Sequence, residues 1–201
     1  MNNYKTYTKH EEALVRLNHK IKDFIFKPFL YLFTLLNIPP NFIAALSSIT
    51  IIGGLLGSYH FSDPNLYIIT LWIHFLLNAI DGPLARYQDN HDNRGAITDS
   101  LTDFLGVLTT LIFISLNTTV APWSLIVLIT FYLIEVYNIL ISSLLKAQLD
   151  FGFKPRFLIY AITTADILLQ TSWLPMTILV LSGVMLPIVL LSFVNIYRIT
   201  K

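Results

Sequence analysis

Cysteine is absent from this 201-residue chain, which excludes disulfides, a thiolate nucleophile and any cysteine-ligated metal. Charge is scarce as well. Asp, Glu, Lys and Arg make up 12% of the residues, about half of the roughly 25% usual in a soluble globule. A chain this poor in charge cannot cover itself with a water-facing surface. Thirteen basic and twelve acidic residues nearly cancel to a formal charge of +1, so there is no global case for a nucleic-acid binder or a strongly anionic partner. No cleavable signal peptide is expected, because Met1 to Lys27 is polar and charged. No internal repeat, low-complexity tract or second domain is visible.

What the chain has in abundance is apolar sequence, at 55% hydrophobic residues. A bilayer core of roughly 30 Å needs about 20 mostly apolar residues as a helix. Six such runs appear, near Asn41 to Tyr59, Leu66 to Asp81 continuing towards Arg86, Ala96 to Leu116, Pro122 to Leu145, Phe157 to Gln170, and Leu174 to Tyr197. The fifth is short and polar at Thr163, Thr164 and Asp166, so hydropathy alone also allows five. The basic residues favour six, because lysine and arginine in short loops are retained on the cytoplasmic side. Lys5, Lys9, Arg16, Lys20, Lys22 and Lys27 precede span one, and Arg86 and Arg94 lie between spans two and three. Lys146, Lys154 and Arg156 lie between four and five, and Arg198 and Lys201 follow six. Six spans with both termini cytoplasmic place all thirteen on one side.

Ahead of span one, Leu14, Leu17, Ile21, Phe24, Ile25 and Phe29 recur at helical spacing between basic residues, the pattern of an amphipathic helix on the cytoplasmic leaflet. The alternative is a helix packed on the protein's own loops. The expected fold is thus an all-α membrane protein, with a cytoplasmic segment at residues 1–40 and a six-helix transmembrane domain at 41–201.

Five of the twelve acidic residues, Asp81, Asp89, Asp92, Asp99 and Asp103, fall within 23 positions. Asp89 and Asp92 sit in a polar loop where solvation suffices. Asp81, Asp99 and Asp103 belong to apolar helical runs, where a carboxylate costs about 2.5 to 3.5 kcal/mol on insertion scales. Asn78 and Asp81 are three apart, and Asp99 and Asp103 four apart, so each pair shares a helix face. With the two helices antiparallel, three carboxylates and an amide oxygen would converge just inside the cytoplasmic interface. Like charges at that density call for a cation. Arg86 and Arg94 are candidates, and oxygen-only ligands also suit Mg²⁺, Mn²⁺ or Ca²⁺.

The stretch from Asn78 through Asp81-Gly82, Ala85-Arg86, Gly95 and Asp99 to Asp103 resembles the signature of the CDP-alcohol phosphatidyltransferase family, D-x2-D-G-x2-A-R-x8-G-x3-D-x3-D. Seven of eight fixed positions agree and every spacing is kept. Asn78 replaces the first acidic residue. The resemblance implies a membrane enzyme of phospholipid synthesis that moves a substituted phosphate from a CDP-linked lipid donor to an alcohol acceptor and releases CMP. It implies metal ligands at Asn78, Asp81, Asp99 and Asp103, for Mg²⁺ or Mn²⁺ as two ions or one. It also implies that Asp103 is the catalytic base, that Gly82, Ala85, Arg86 and Gly95 bind the nucleotide, and that the protein is a homodimer. CDP-diacylglycerol is the preferred donor on the short chain and basic cytoplasmic face. An Asn carbonyl can coordinate Mg²⁺ but brings one charge fewer. A catalytically impaired member that binds nucleotide or lipid is therefore the second expectation. A cation transporter is a weaker third, since the cluster lies near one face and no repeat is seen.

For the small motif residues, ordinary helix packing is the competing account. Lys146, Lys154, Arg156 and Arg198 share the cytoplasmic face and are candidates for an anionic group on the acceptor, against simple topology. Glu135 and Asp166, costly within spans, are expected to act in structure or at a dimer interface, paired with His74, a tyrosine hydroxyl or each other. His74, one turn before Asn78, stands between a supporting role at the site and plain packing. Tyr59, Trp123 and Trp173 read as interfacial anchors.

Overall fold

A computed structural model describes residues 12–89, 94–144 and 155–199. Those residues form seven α-helices and no strand: α1 (Glu12–Leu35), α2 (Pro40–Phe61), α3 (Pro64–Tyr87), α4 (Arg94–Asn117), α5 (Pro122–Leu144), α6 (Arg156–Leu169) and α7 (Leu174–Ile199). Helices α2 to α7 coincide with the six apolar runs, and α1 with the amphipathic stretch.

Local chemistry sets the ends. Proline opens α2, α3 and α5, where its missing N–H would be unpaired in any case. Between α2 and α3 the chain turns in two residues. Ser62 takes a left-handed conformation at φ 53°, and the Asp63 side chain accepts the N–H of Asn65. Asp166 closes the α6–α7 turn through one oxygen, which accepts from the Thr171 hydroxyl at 2.7 Å and the Trp173 N–H at 2.8 Å. Glu135 of α5 accepts from Ser192 of α7 at 2.9 Å. Both acids thus have hydrogen-bond partners that tie neighbouring segments together.

Five helices, α2, α3, α4, α5 and α7, are long and apolar enough to cross a bilayer. Helix α6 has 14 residues, about 21 Å at 1.5 Å per residue, and falls short of that length. Helix α4 is central, packing on α2, α3, α5 and α6, while α5 packs mainly on α7. A buried core of Ile51, Tyr67, Leu71, Val107, Leu128 and Met185, among others, joins α2 through α7. Large apolar side chains cover much of the outside, including Ile49, Leu56, Ile69, Ile126, Leu133 and Leu190, as expected where the solvent is hydrocarbon.

Helix α1 packs on α3 through Leu30, which is buried with Ile43, Ile80 and Leu84. Its predicted apolar stripe points elsewhere. Ile21, Phe24, Ile25 and Phe29 are all exposed, Phe24 by 81%, and the side chains of Leu14 and Leu17 lie outside the described residues.

Candidate active site

The motif residues occupy two neighbouring helices. Asn78, Asp81, Gly82, Ala85 and Arg86 lie in the C-terminal half of α3, and Gly95, Asp99 and Asp103 in the N-terminal part of α4. Only the backbone of Gly95 is described. Asp92, Lys146 and Lys154 lie outside the described residues. Asp89 is exposed in the turn after α3, in keeping with simple solvation.

Two groupings emerge. In the first, Asp103 is buried at 1% exposure and accepts from the Asn78 amide nitrogen at 2.5 Å. The Arg156 guanidinium, from the first turn of α6, pairs with the same carboxylate oxygen. Three helices therefore meet on one oxygen. The second grouping is Asp81, 9% exposed, and Asp99, close enough for their charges to act on each other. Asp81 also accepts the Gly82 N–H at 2.6 Å. The amide orientation of Asn78 turns its oxygen away from Asp103, and that oxygen is buried without a hydrogen-bond partner.

Arg86 does not pair with a motif carboxylate. Its guanidinium reaches α1 and donates to Asp23 at 2.6 Å and 3.4 Å, an ion pair in which Arg86 is 32% and Asp23 42% exposed. Beside it, Lys22 feels the charges of Arg156, Asp99, Asp81 and Arg86. Burial pushes the Lys22 ammonium below its ordinary lysine range, Arg156 adds to this, and Asp99 and Asp81 oppose it. His19, one turn earlier, is also lowered, first by burial and then by Arg86. The pairing of Asp23 with Arg86 had no signal in the motif, because an acid 63 positions away comes to Arg86 only through the packing of α1 on α3.

Beneath Asn78, His74 joins α3 to α2. Its Nδ1 lies 3.2 Å from the Ser47 carbonyl oxygen and 2.7 Å from the Ser47 hydroxyl, which itself donates to the His74 carbonyl at 3.1 Å. A carbonyl can only accept, so the network assigns the proton to Nδ1. The lone pair of Nε2 then faces Gly106. An added Cβ at Gly106 would collide with both Nε2 and the Tyr160 hydroxyl. Glycine at this position is what allows α3, α4 and α6 to meet below the carboxylates.

Gly82 behaves differently. A Cβ there would meet only Arg86 NH1, at an ordinary 3.7 Å, so helix packing does not require glycine at this motif position. Close helix contact is instead served by Gly54 against Thr70 and Gly57 against Leu66, on the α2–α3 interface. Ala85 and Arg86 are half-buried, and Arg198 is exposed near the end of α7.

No similar curated protein and no similar solved structure was found. The family model for CDP-alcohol phosphatidyltransferase matches residues 32–194, from the last turn of α1 to near the end of α7. The chain belongs to the CDP-alcohol phosphatidyltransferase family.

Proposed function

We propose that the protein is an active member of this family. It transfers a substituted phosphate from CDP-diacylglycerol to an alcohol and releases CMP, with the site at the cytoplasmic face of a six-span, homodimeric membrane protein. The observation that carries this is the meeting of Asn78 and Asp103, from the two motif helices, with Arg156 of α6, all within the matched stretch.

The residues fit a divalent cation. The Asn78 oxygen, buried and without a hydrogen-bond partner among the described residues, and the carboxylates of Asp81 and Asp99 are oxygen donors of the kind that suits Mg²⁺ or Mn²⁺. Asp103 is engaged by Arg156 and Asn78, and among the described residues no group of three or more acidic or histidine side chains gathers about one point, so the donor set proposed is the smaller one. A bound cation would supply neutralisation of the diphosphate and of the departing CMP.

The remaining work falls to the chain. Asp103 takes the proton of the acceptor hydroxyl as that oxygen forms a bond to the phosphorus remote from cytidine. The bond from this phosphorus to the bridging oxygen breaks, and its electron pair leaves with CMP. Asn78 and Arg156 hold the Asp103 carboxylate in place, and Arg156 sets a cation where acceptor and phosphorus meet. Gly82, free of packing constraint, leaves room for the nucleotide diphosphate beside Arg86.

A second account, a member that binds nucleotide or lipid without turnover, is favoured by one specific contact: the Asn78 amide donates to the base. Purified protein in lipid nanodiscs distinguishes the two. With CDP-diacylglycerol, Mg²⁺ or Mn²⁺ and a panel of alcohols, CMP release that stops on chelation supports the enzyme. Release from CDP-choline with diacylglycerol instead reverses the donor assignment. Metal-dependent CDP binding without release from any pair supports the binding protein.

A further inference from the structure

The face of α1 that packs on α3 changes character along its length. From Leu30 towards the N-terminus it runs through Phe26 to Asp23, Lys22 and His19, at the spacing of one helix side. Its apolar part seals α1 to α3 around Leu84. Its polar part arrives at the motif. Asp23 grips Arg86 through Nε and NH2, and the remaining NH1 lies 3.7 Å from a Cβ built at Gly82, which meets no other side chain among the described residues. Lys22, half-buried beside Asp23, lies within the charges of Asp81, Asp99, Arg86 and Arg156. Those four belong to α3, α4 and α6, and the Asp23–Arg86 ion pair brings α1 against the same motif. Lys22 and Asp23 both precede residue 32, where the family match begins.

We propose that α1 contributes to donor binding: Lys22 binds an oxygen of the CDP diphosphate, and Asp23 is a positioning residue that holds Arg86 with NH1 facing the same group. This rests on the proposed use of a CDP-linked donor. A diphosphate entering above Gly82 would meet Arg86 NH1 on one side and the Lys22 ammonium on the other. Asp81 and Asp99, on the neighbouring helices, are the residues that would hold a cation, which would supply neutralisation of the diphosphate charge. Because Ile21, Phe24 and Ile25 on the other side of the same turns are exposed and apolar, the turn that reads the headgroup is also the one placed to meet lipid.

The test uses the full-length protein in nanodiscs with two readouts. CDP binding in Mg²⁺ is measured by calorimetry, and CMP release is followed against donor and acceptor concentration. Losing one charged hydrogen bond should weaken CDP binding and raise donor KM about tenfold or more, with acceptor KM unchanged and kcat changed far less. Lys22→Met and Asp23→Asn should both show this split. Lys22→Arg and Asp23→Glu should restore most of the affinity, which a general loss of folding or anchoring would not permit. If wild type binds CDP but Lys22→Met binds it equally well, the inference is overturned while the family chemistry stands. If donor KM, acceptor KM and kcat all shift together, α1 is merely an anchor and the inference is again overturned. Wild type that neither binds CDP nor releases CMP defeats the proposed function and this inference with it.

Discussion

At Asn78 a single atom difference decides how the site is held together. Its Nδ2 donates to Asp103 at 2.5 Å, a contact that an aspartate could make only by carrying a proton or sharing a cation, because two ionised carboxylates at that distance repel strongly. Asparagine thus lets the buried Asp103 sit stably with Arg156 in the absence of metal. Asn78→Asp should lower the melting temperature in EDTA by several degrees, on the order of a 1–3 kcal/mol loss for a buried polar pair gone wrong. Mg²⁺ or Mn²⁺ should recover more stability for the variant than for wild type. Thermal unfolding in detergent with and without the ion measures this, and equal melting curves for both proteins in EDTA would contradict it. The placing of Asn78 and Asp81 on one helix and of Asp99 and Asp103 on the next was legible in the sequence, because helix spacing alone gives it. That spacing could not show that Arg156, 53 positions beyond Asp103 in sequence, is the side chain paired with that acid.

Among the elements, α1 and α6 depart most from what hydropathy conveys. The helix itself was legible in α1, and Ile21, Phe24, Ile25 and Phe29 of its apolar stripe are exposed. The polar face of α1 was not legible as part of a site. Lys20, Lys22 and Lys27 look alike in sequence, and only the packing of Leu30 against Leu84 selects Lys22 and Asp23 to meet the motif. Helix α6, at 14 residues, is too short by length and composition to count as a span, yet it carries Arg156 to Asp103 at one end and the Asp166-capped turn at the other. Because the chain has no cysteine, single replacements report sidedness cleanly. If α6 crosses, Thr171→Cys should react with an impermeant thiol reagent only from outside, and Lys201→Cys only from the cytoplasm. If α6 does not cross, Thr171→Cys reacts from the cytoplasm and Lys201→Cys from outside, leaving five spans.

Over the whole molecule, scarce charge is concentrated rather than dispersed. Arg156 pairs with Asp103 and Arg86 with Asp23, beside Lys22, while apolar side chains occupy much of the remaining exterior. The architecture was legible because each helix is a run of apolar residues bounded by proline, turn or charge. The glycine contacts were not, since Gly54 and Gly106 serve helix approach and Gly82 does not, a difference that depends on what lies opposite each one. The central claim is that this concentration of charge performs phosphatidyl transfer with Asp103 as base. The most direct measurement is CMP release from CDP-diacylglycerol in nanodiscs, in Mg²⁺ or Mn²⁺, comparing wild type with Asp103→Asn. The account predicts release by wild type with at least one alcohol and a fall of at least about a hundredfold in the variant, the scale of losing a general base. An Asp103→Asn protein that releases CMP at the wild-type rate would contradict it.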